Sequence, residues 1–447
     1  MKQKVDLTQG NILKGFVFFS IPLFLGSLFQ LLYGTVDMLF VGNFLGKNNA
    51  AAVGASSILA TCLVGLLTGI SVGAGVVLAQ IWGAKKMDEA DVCIENSLFL
   101  GVTGGILLTV IGIVFAESAL QLLHTPESIM TNALIYIRIY LLSITGMIIY
   151  NMAAGLLRAM GDSRTPFVVL ASGGILNVAM DALFIVILKW GVSGAALATT
   201  ISQYFTAVVL MAYLIYKKQL WKKKWTINSS MFKRILNVGI PVGLQSLLLT
   251  LSNLFVQYYI NELGENAVAA FTVYFKVENL IYLPIMAFGQ AMLIFTGQNI
   301  GAGNIRRIQK GVVVCNIFSV AVIACISAVV LNFGTQILGW FCKEEVVIAE
   351  GIKVIEISFP FYFVYAILEV TGGVVRGYKK TMQSMFIVIV NLCVIRVLLL
   401  NILTSRYHTI QSVAVVYPIT WVLAALSFIG YCYCIQYKNR KYAKEII

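Results

Sequence analysis

The chain has 447 residues, of which 59% are hydrophobic and 11% charged, with a formal net charge of +13. Soluble domains carry about 25% charged residues, so a water-covered globule is excluded and most of this surface must meet lipid. Lipid leaves only helices or closed barrels, and apolar runs of roughly 20 residues or more without alternation fit spanning helices rather than barrel strands.

Taken in chain order, the first apolar segment covers 14–40. Lys2, Lys4 and Lys14 flank it, but no small-residue cleavage site follows, so it reads as a retained helix and not a signal peptide. Pro22 removes one backbone hydrogen bond within it and gives it a place to bend. Gln30, Tyr33 and Asp37 follow at i, i+3 and i+7, on one helical face. Segment 52–80 is rich in small residues, with Gly65, Gly69, Gly73 and Gly75, which lets helices approach closely. Segments 93–116 and 132–156 come next, the latter carrying Tyr136, Arg138 and Asn151. Segment 165–188 places Asn177 and Asp181 at i, i+4, and segment 192–216 begins just before Thr199.

After a basic stretch at 217–234 come 236–260, 267–297, 310–335, 351–374, 382–404 and 410–435. These twelve spans predict an all-α polytopic membrane protein with an N-lobe at 1–216, a linker at 217–234 and a C-lobe at 235–447.

The two lobes repeat each other at an offset of about 218 residues. Ile21-Pro22 returns as Ile240-Pro241, Gly46 as Gly264, Ala51-Ala52 as Ala269-Ala270, Gly83-Ala84 as Gly301-Ala302 and Arg158 as Arg376. This period is far longer than a solenoid unit of about 20–50 residues. An even number of spans per lobe gives both lobes one orientation, so the expected pseudo-two-fold axis runs along the membrane normal.

Basic residues gather on one side of the predicted topology. Lys85, Lys86, Arg158, Arg306, Arg307, Lys379 and Lys380 lie there with the linker lysines, including Lys222, Lys223 and Lys224. The opposite loops hold only Lys47, Lys189, Lys343, Lys353 and Arg406. The positive-inside rule then makes both termini cytoplasmic in a cell-membrane protein. Topology thus accounts for the positive charge, and no nucleic-acid partner is expected. A monomer suffices for this architecture. The eight Cys, Cys62 among them, share no ligand spacing and read as packing residues. His124 and His408 are the two histidines, and no paired nucleophile and base or metal motif accompanies them, so an enzyme is not expected.

Charges inside a bilayer are costly and mark function. Asp37 and Asp181 occupy the outer halves of two spans that run the same way, with Asn177 one turn from Asp181 and Thr199 able to join. Carboxylate, amide and hydroxyl oxygens suit a sodium ion, or a proton on a carboxylate. Two such acids brought together away from water cannot both be ionised cheaply. The repeat lost them: Phe255 and Leu399 stand at the matching places in the second lobe. That lobe has its own charges, Lys276, Glu278, Glu356, Glu369 and Arg396; a structural ion pair of Arg396 with Glu278 or Glu369 is the expected reading, with substrate lining the next.

Several stretches resemble the multidrug and toxic compound extrusion (MATE) family. They are Ile21-Pro22, Thr35-Val36-Asp37-Met38-Leu39-Phe40-Val41-Gly42, Leu156-Leu157-Arg158-Ala159-Met160-Gly161-Asp162-Ser163, Asn177-Val178-Ala179-Met180-Asp181 and Gly194-Ala195-Ala196-Leu197-Ala198-Thr199. The resemblance runs end to end and is nearest to the prokaryotic branch typified by DNA-damage-inducible protein F. It implies two six-helix lobes around a cavity that opens alternately, and export of organic cations or other amphipathic compounds in exchange for protons or sodium ions. It implies a cation site of Asp37, Asn177, Asp181 and Thr199, a substrate cavity lined by Gln30, Tyr33, Tyr136 and Asn151, and bending at Pro22. The coupling ion is then the only cofactor-like species, and a small molecule and the bilayer are the partners. A flippase for a lipid-linked sugar is the alternative within the same class.

Overall fold

The computed structural model describes residues 5–122, 125–220 and 225–445, with side chains described except at 47–48, 55–64, 66–67 and 436–445. His124, Lys222, Lys223 and Lys224, and the side chains of Lys47 and Cys62, therefore lie outside the described residues.

Among the described residues the fold is all-helical. α1 (Ile12–Phe40) runs through Pro22 and continues as a π-helical turn, Val41–Leu45. α2 (Lys47–Gly83), α3 (Met87–Leu122) and α4 (Glu127–Ala159) follow. α5 (Arg164–Asp181) also runs on into a π-helical turn, Ala182–Ile187, and α6 (Gly191–Lys217) closes the first set. The second set opens with α7 (Ser229–Glu262), α8 (Glu265–Gly301) and α9 (Ile305–Gly339), the last bent at Phe333. α10 (Glu345–Ser358) and α11 (Tyr362–Gly377) form one span. A 3-10 turn at Phe359–Phe361 interrupts it where Pro360 cannot donate a backbone hydrogen bond. α12 (Thr381–Val388), a π-helical turn at Ile389–Ile395 and α13 (Arg396–Tyr407) make the next. α14 (Ile410–Ala414), capped by the Thr409 side chain, and α15 (Val416–Glu445) make the last.

Eleven helices among the described residues are long and apolar enough to cross a membrane. The remaining expected span is α2, whose described apolar part is Thr68–Gly83.

The repeat is present in the backbone as well as in the letters. Left-handed residues recur at the same offset: Gly46 with Gly264, Lys85 with Gly303, and Gly161 with Lys379. Packing repeats too. In the first set α4 packs on α2, α3 and α6, and in the second set α11 packs on α8, α9 and α15.

Two compact units emerge, Met1–Val5 with Ile21–Gly243, and Asp6–Ser20 with Leu244–Ile447. The units do not part at the linker. The start of α7 belongs to the first unit, where Gly69 and Gly73 face Gly243 and Gly239; a Cβ on Gly69 would lie 2.2 Å from the Gly243 nitrogen. The linker is held there as well. Asn96 Nδ2 donates to the Thr226 carbonyl at 2.8 Å, and the Thr226 and Asn228 N–H groups donate to Glu95 and Asn96. In the second unit Arg307 donates to the carbonyls of Leu7, Gln9 and Gly10, which fixes the segment leading into α1.

Candidate functional site

The acid pair is built by two helix ends in the first unit. α1 and α5 each pass into a π-helical turn within a turn of their acid, and these two turns pack on each other. π-helical turns widen a helix locally and occur often at functional sites. Around them Val41, Val53, Tyr136, Ile185, Val192, Ala195 and Ala196 form a tight apolar cluster.

This arrangement brings the Asp37 and Asp181 carboxyl groups within hydrogen-bond reach of each other. A carboxylate only accepts, so that contact requires a proton between them or a cation across them. Asn177 and Asp181 are both fully buried. With its amide oriented to satisfy both neighbours, Asn177 donates to Asp181 Oδ2 at 3.0 Å and accepts from the Thr199 backbone N–H at 3.3 Å. Asp37 Oδ1, Asp181 Oδ1 and the Tyr33 hydroxyl are buried without a hydrogen-bond partner among the described residues. The Tyr33 hydroxyl lies near Thr199 and Ser202 but meets neither at good geometry. Two unsatisfied carboxyl oxygens on acids in contact, with the Tyr33 hydroxyl close enough to feel Asp37, suit a small hard cation or a proton.

The sequence therefore named Asp37, Asn177, Asp181 and Thr199 as a group, and the structure brings them together. It missed Ser202 and Tyr140. Tyr140 sits one helical turn from Tyr136, and their rings stack with centroids 5.7 Å apart.

The expected substrate cavity differs. Gln30, Tyr33 and Asn151 do line one cavity, with Ser202 and Gln203, but its volume is about 20 Å³. That is water-sized, far below the roughly 300 Å³ of small ligand sites. Tyr136 is not in its wall; it is buried against the acid pair instead. The cause is helix length. Tyr136 and Asn151 share α4 but are about 22 Å apart along its axis.

A larger cavity, about 510 Å³, opens within the second unit. Glu278, Tyr282, Tyr362, Tyr365, Arg396 and Trp421 are in its wall. The expected ion pair of Arg396 is absent among the described residues. Glu369 is taken by Arg376, seven residues along the same helix, in a largely buried pair. Arg138, on α4, pairs with Glu117 at 3.4 Å. The sequence did carry a signal for the cavity: Tyr362, Tyr365 and Glu369 repeat the i, i+3, i+7 spacing of Gln30, Tyr33 and Asp37.

Outside the membrane spans, Asp162 holds the turn between α4 and α5. It accepts from Lys217 Nζ at 2.7 Å and from the Thr165 N–H and hydroxyl. Burial raises its pKa, but these partners together outweigh burial and hold it below the ordinary carboxylate value.

Comparisons with known proteins bear on the family and the fold. A family profile described as MatE matches residues 22–183 and 241–402, one stretch in each half. The chain is 31% identical over 405 residues to the probable multidrug resistance protein YpnP of Bacillus subtilis (strain 168), covering 88% of each. It is 24% identical over 356 residues to the multidrug export protein MepA of Staphylococcus aureus (strain NCTC 8325 / PS 47), covering 78% of each. Among solved structures it superposes with a TM-score of 0.92 on an outward-facing multidrug resistance MATE family transporter of the MOP superfamily. That match is 24% identical and covers 98% of this chain and 99% of the other, which shows a shared fold.

Proposed function

The chain belongs to the MatE family of multi-pass membrane transporters, and from that premise we propose that it is an antiporter that exports drug-like molecules. Its substrates are organic cations or other amphipathic compounds, taken out across the cell membrane in exchange for protons or sodium ions. Both termini are cytoplasmic, and the chain works as a monomer without nucleic acid.

The observation that carries this reading is the contact of Asp37 with Asp181, each with one buried oxygen left unpartnered among the described residues. An unpaired carboxylate oxygen in such a place is costly, so the pair gains most when a cation or proton sits across it. Asn177 orients Asp181 and is itself oriented by the Thr199 backbone. Tyr33 and Thr199 complete the oxygen set. Asp37 shares α1 with Pro22, where the missing N–H makes bending cheap. Loading of the pair therefore acts on the helix that also lines the small cavity through Gln30 and Tyr33. Bending of α1 reshapes that cavity and couples the ion to substrate release. Alternating access of the two repeats then carries ion and substrate in opposite directions.

The test is dye accumulation in inverted vesicles, whose outer face is the cytoplasmic one, with either a proton or a sodium gradient imposed. The reading requires accumulation driven by one of them. Accumulation that ignores both gradients removes the coupling.

A further inference from the structure

The cavity in the second unit has a chemistry unlike that of the acid pair. At about 510 Å³ it has the size of a small-molecule site. Glu278 in its wall accepts a hydrogen bond from the Tyr362 hydroxyl through Oε1 at 2.5 Å. The Tyr362 hydroxyl is in turn within 3.0 Å of that of Tyr274, which is tied to Ser358. Arg396, the first residue of α13, also lines the cavity and is 5% exposed. Its guanidinium lies over the Tyr417 ring at 5.1 Å, and its one hydrogen bond among the described residues, to Thr420 Oγ1, is long at 3.5 Å. Its Nε has no partner among the described residues.

A guanidinium taken from water without a carboxylate is costly. The charges of Arg396 and Glu278 are near enough to interact, yet they form no ion pair, and each retains capacity for a ligand. The aromatic wall supplies the rest. Tyr282 and Tyr365 stack with centroids 5.6 Å apart, and Trp421 lies 5.3 Å from Tyr365.

The repeat sharpens the contrast. Tyr417 stands where Thr199 stands in the first unit, and Arg396 follows the counterpart of Asn177. Thus one place of the acid site, that of Thr199, recurs in the wall of this cavity, beside one side chain of each sign. A simple cation is repelled by Arg396 and a simple anion by Glu278. A molecule with both charges satisfies both.

We propose that this cavity binds zwitterionic aromatic compounds, with the anionic group on Arg396, the amine on Glu278 and the flat body against Tyr282, Tyr365 and Trp421. As a substrate class this rests on the exporter reading above, but its test does not use transport.

The protein in lipid nanodiscs is titrated calorimetrically at neutral pH with para-(aminomethyl)benzoate, benzylamine and benzoate, which share one ring and differ in charge. The zwitterion should bind at least about tenfold more tightly than either relative, the size expected of one charge-assisted hydrogen bond. Arg396→Gln should abolish the advantage over benzylamine, and Glu278→Gln the advantage over benzoate. Arg396→Lys should keep part of the preference. Equal affinities in the unmodified protein, no heat from the zwitterion at millimolar concentration, or an unchanged preference in Arg396→Gln each overturn the proposal. Because the unmodified protein decides the charge preference, a misfolded variant does not rescue it. Loss of ion-driven efflux with this binding intact would remove the exporter reading alone.

Discussion

Replacing Asp181 by Asn tests the coupling site with the least disturbance to the fold. The new amide has the same shape, still offers an oxygen to Asn177, and can donate to Asp37, so packing at this fully buried position is kept. What is lost is one of two carboxyl groups in contact. For a bound cation about 4 Å from that charge, at an effective dielectric of about 20, the loss is about 4 kcal/mol. That corresponds to roughly a thousandfold in affinity. For a proton, the shared position between two acids disappears. Either way, inverted vesicles bearing Asp181→Asn should show no gradient-driven dye accumulation, while normal amounts of folded protein reach the membrane. Asp37→Asn should do the same. Undiminished gradient-driven accumulation in both variants would refute the reasoning, because no coupling ion could then depend on the pair.

Other outcomes follow from packing and charge. Gly69→Ala should lower stability by about 1–3 kcal/mol, since its Cβ would meet the Gly243 backbone, which cannot give way; thermal melting in detergent reads this. The Asp162 carboxyl has a folded pKa below its unfolded one, so protonation favours unfolding. Its contribution should be complete above about pH 4 and lost as pH falls through the lower folded value, and a melting series in which Asp162→Asn shows the same acid loss as the parent would contradict this. Arg307→Met should free the carbonyls of Leu7, Gln9 and Gly10, at about 1–3 kcal/mol for hydrogen bonds to a charged group. Faster amide exchange confined to residues 6–11 is the expected signature.

Much of the fold was legible because lipid demands one thing of a helix, a long apolar run, and the repeat supplied every landmark twice. The acid pair was legible for a related reason. Asn177 with Asp181, and Tyr33 with Asp37, each sit one helical turn apart, and only a neighbouring helix can make buried acids affordable. Tyr136 was placed in the cavity by the family resemblance alone, which took no account of its height along α4 relative to Asn151. Arg396 was assigned a partner on charge alone, whereas Glu369 is held by Arg376 two turns away on α11. The second cavity needs side chains from α7, α8, α11, α13 and α15 at once, and the one local signal, the spacing of Tyr362, Tyr365 and Glu369, covers α11 alone. The π-helical turns after Phe40 and Asp181 were equally silent, since their extra residue per turn is imposed by packing and not by any one side chain.

The exchange of helix beginnings has a further consequence. Residues 6–20 belong with the later half of the chain, and 229–243 with the earlier half. A fragment severed in the linker would therefore keep Gly69 and Gly73 while losing the glycines that cover them, and its complement would lack the strand of carbonyls that Arg307 grips. Neither piece is a self-sufficient folding unit. The halves look like duplicates in the alphabet of residues, yet each is completed only by a splint borrowed from its sibling.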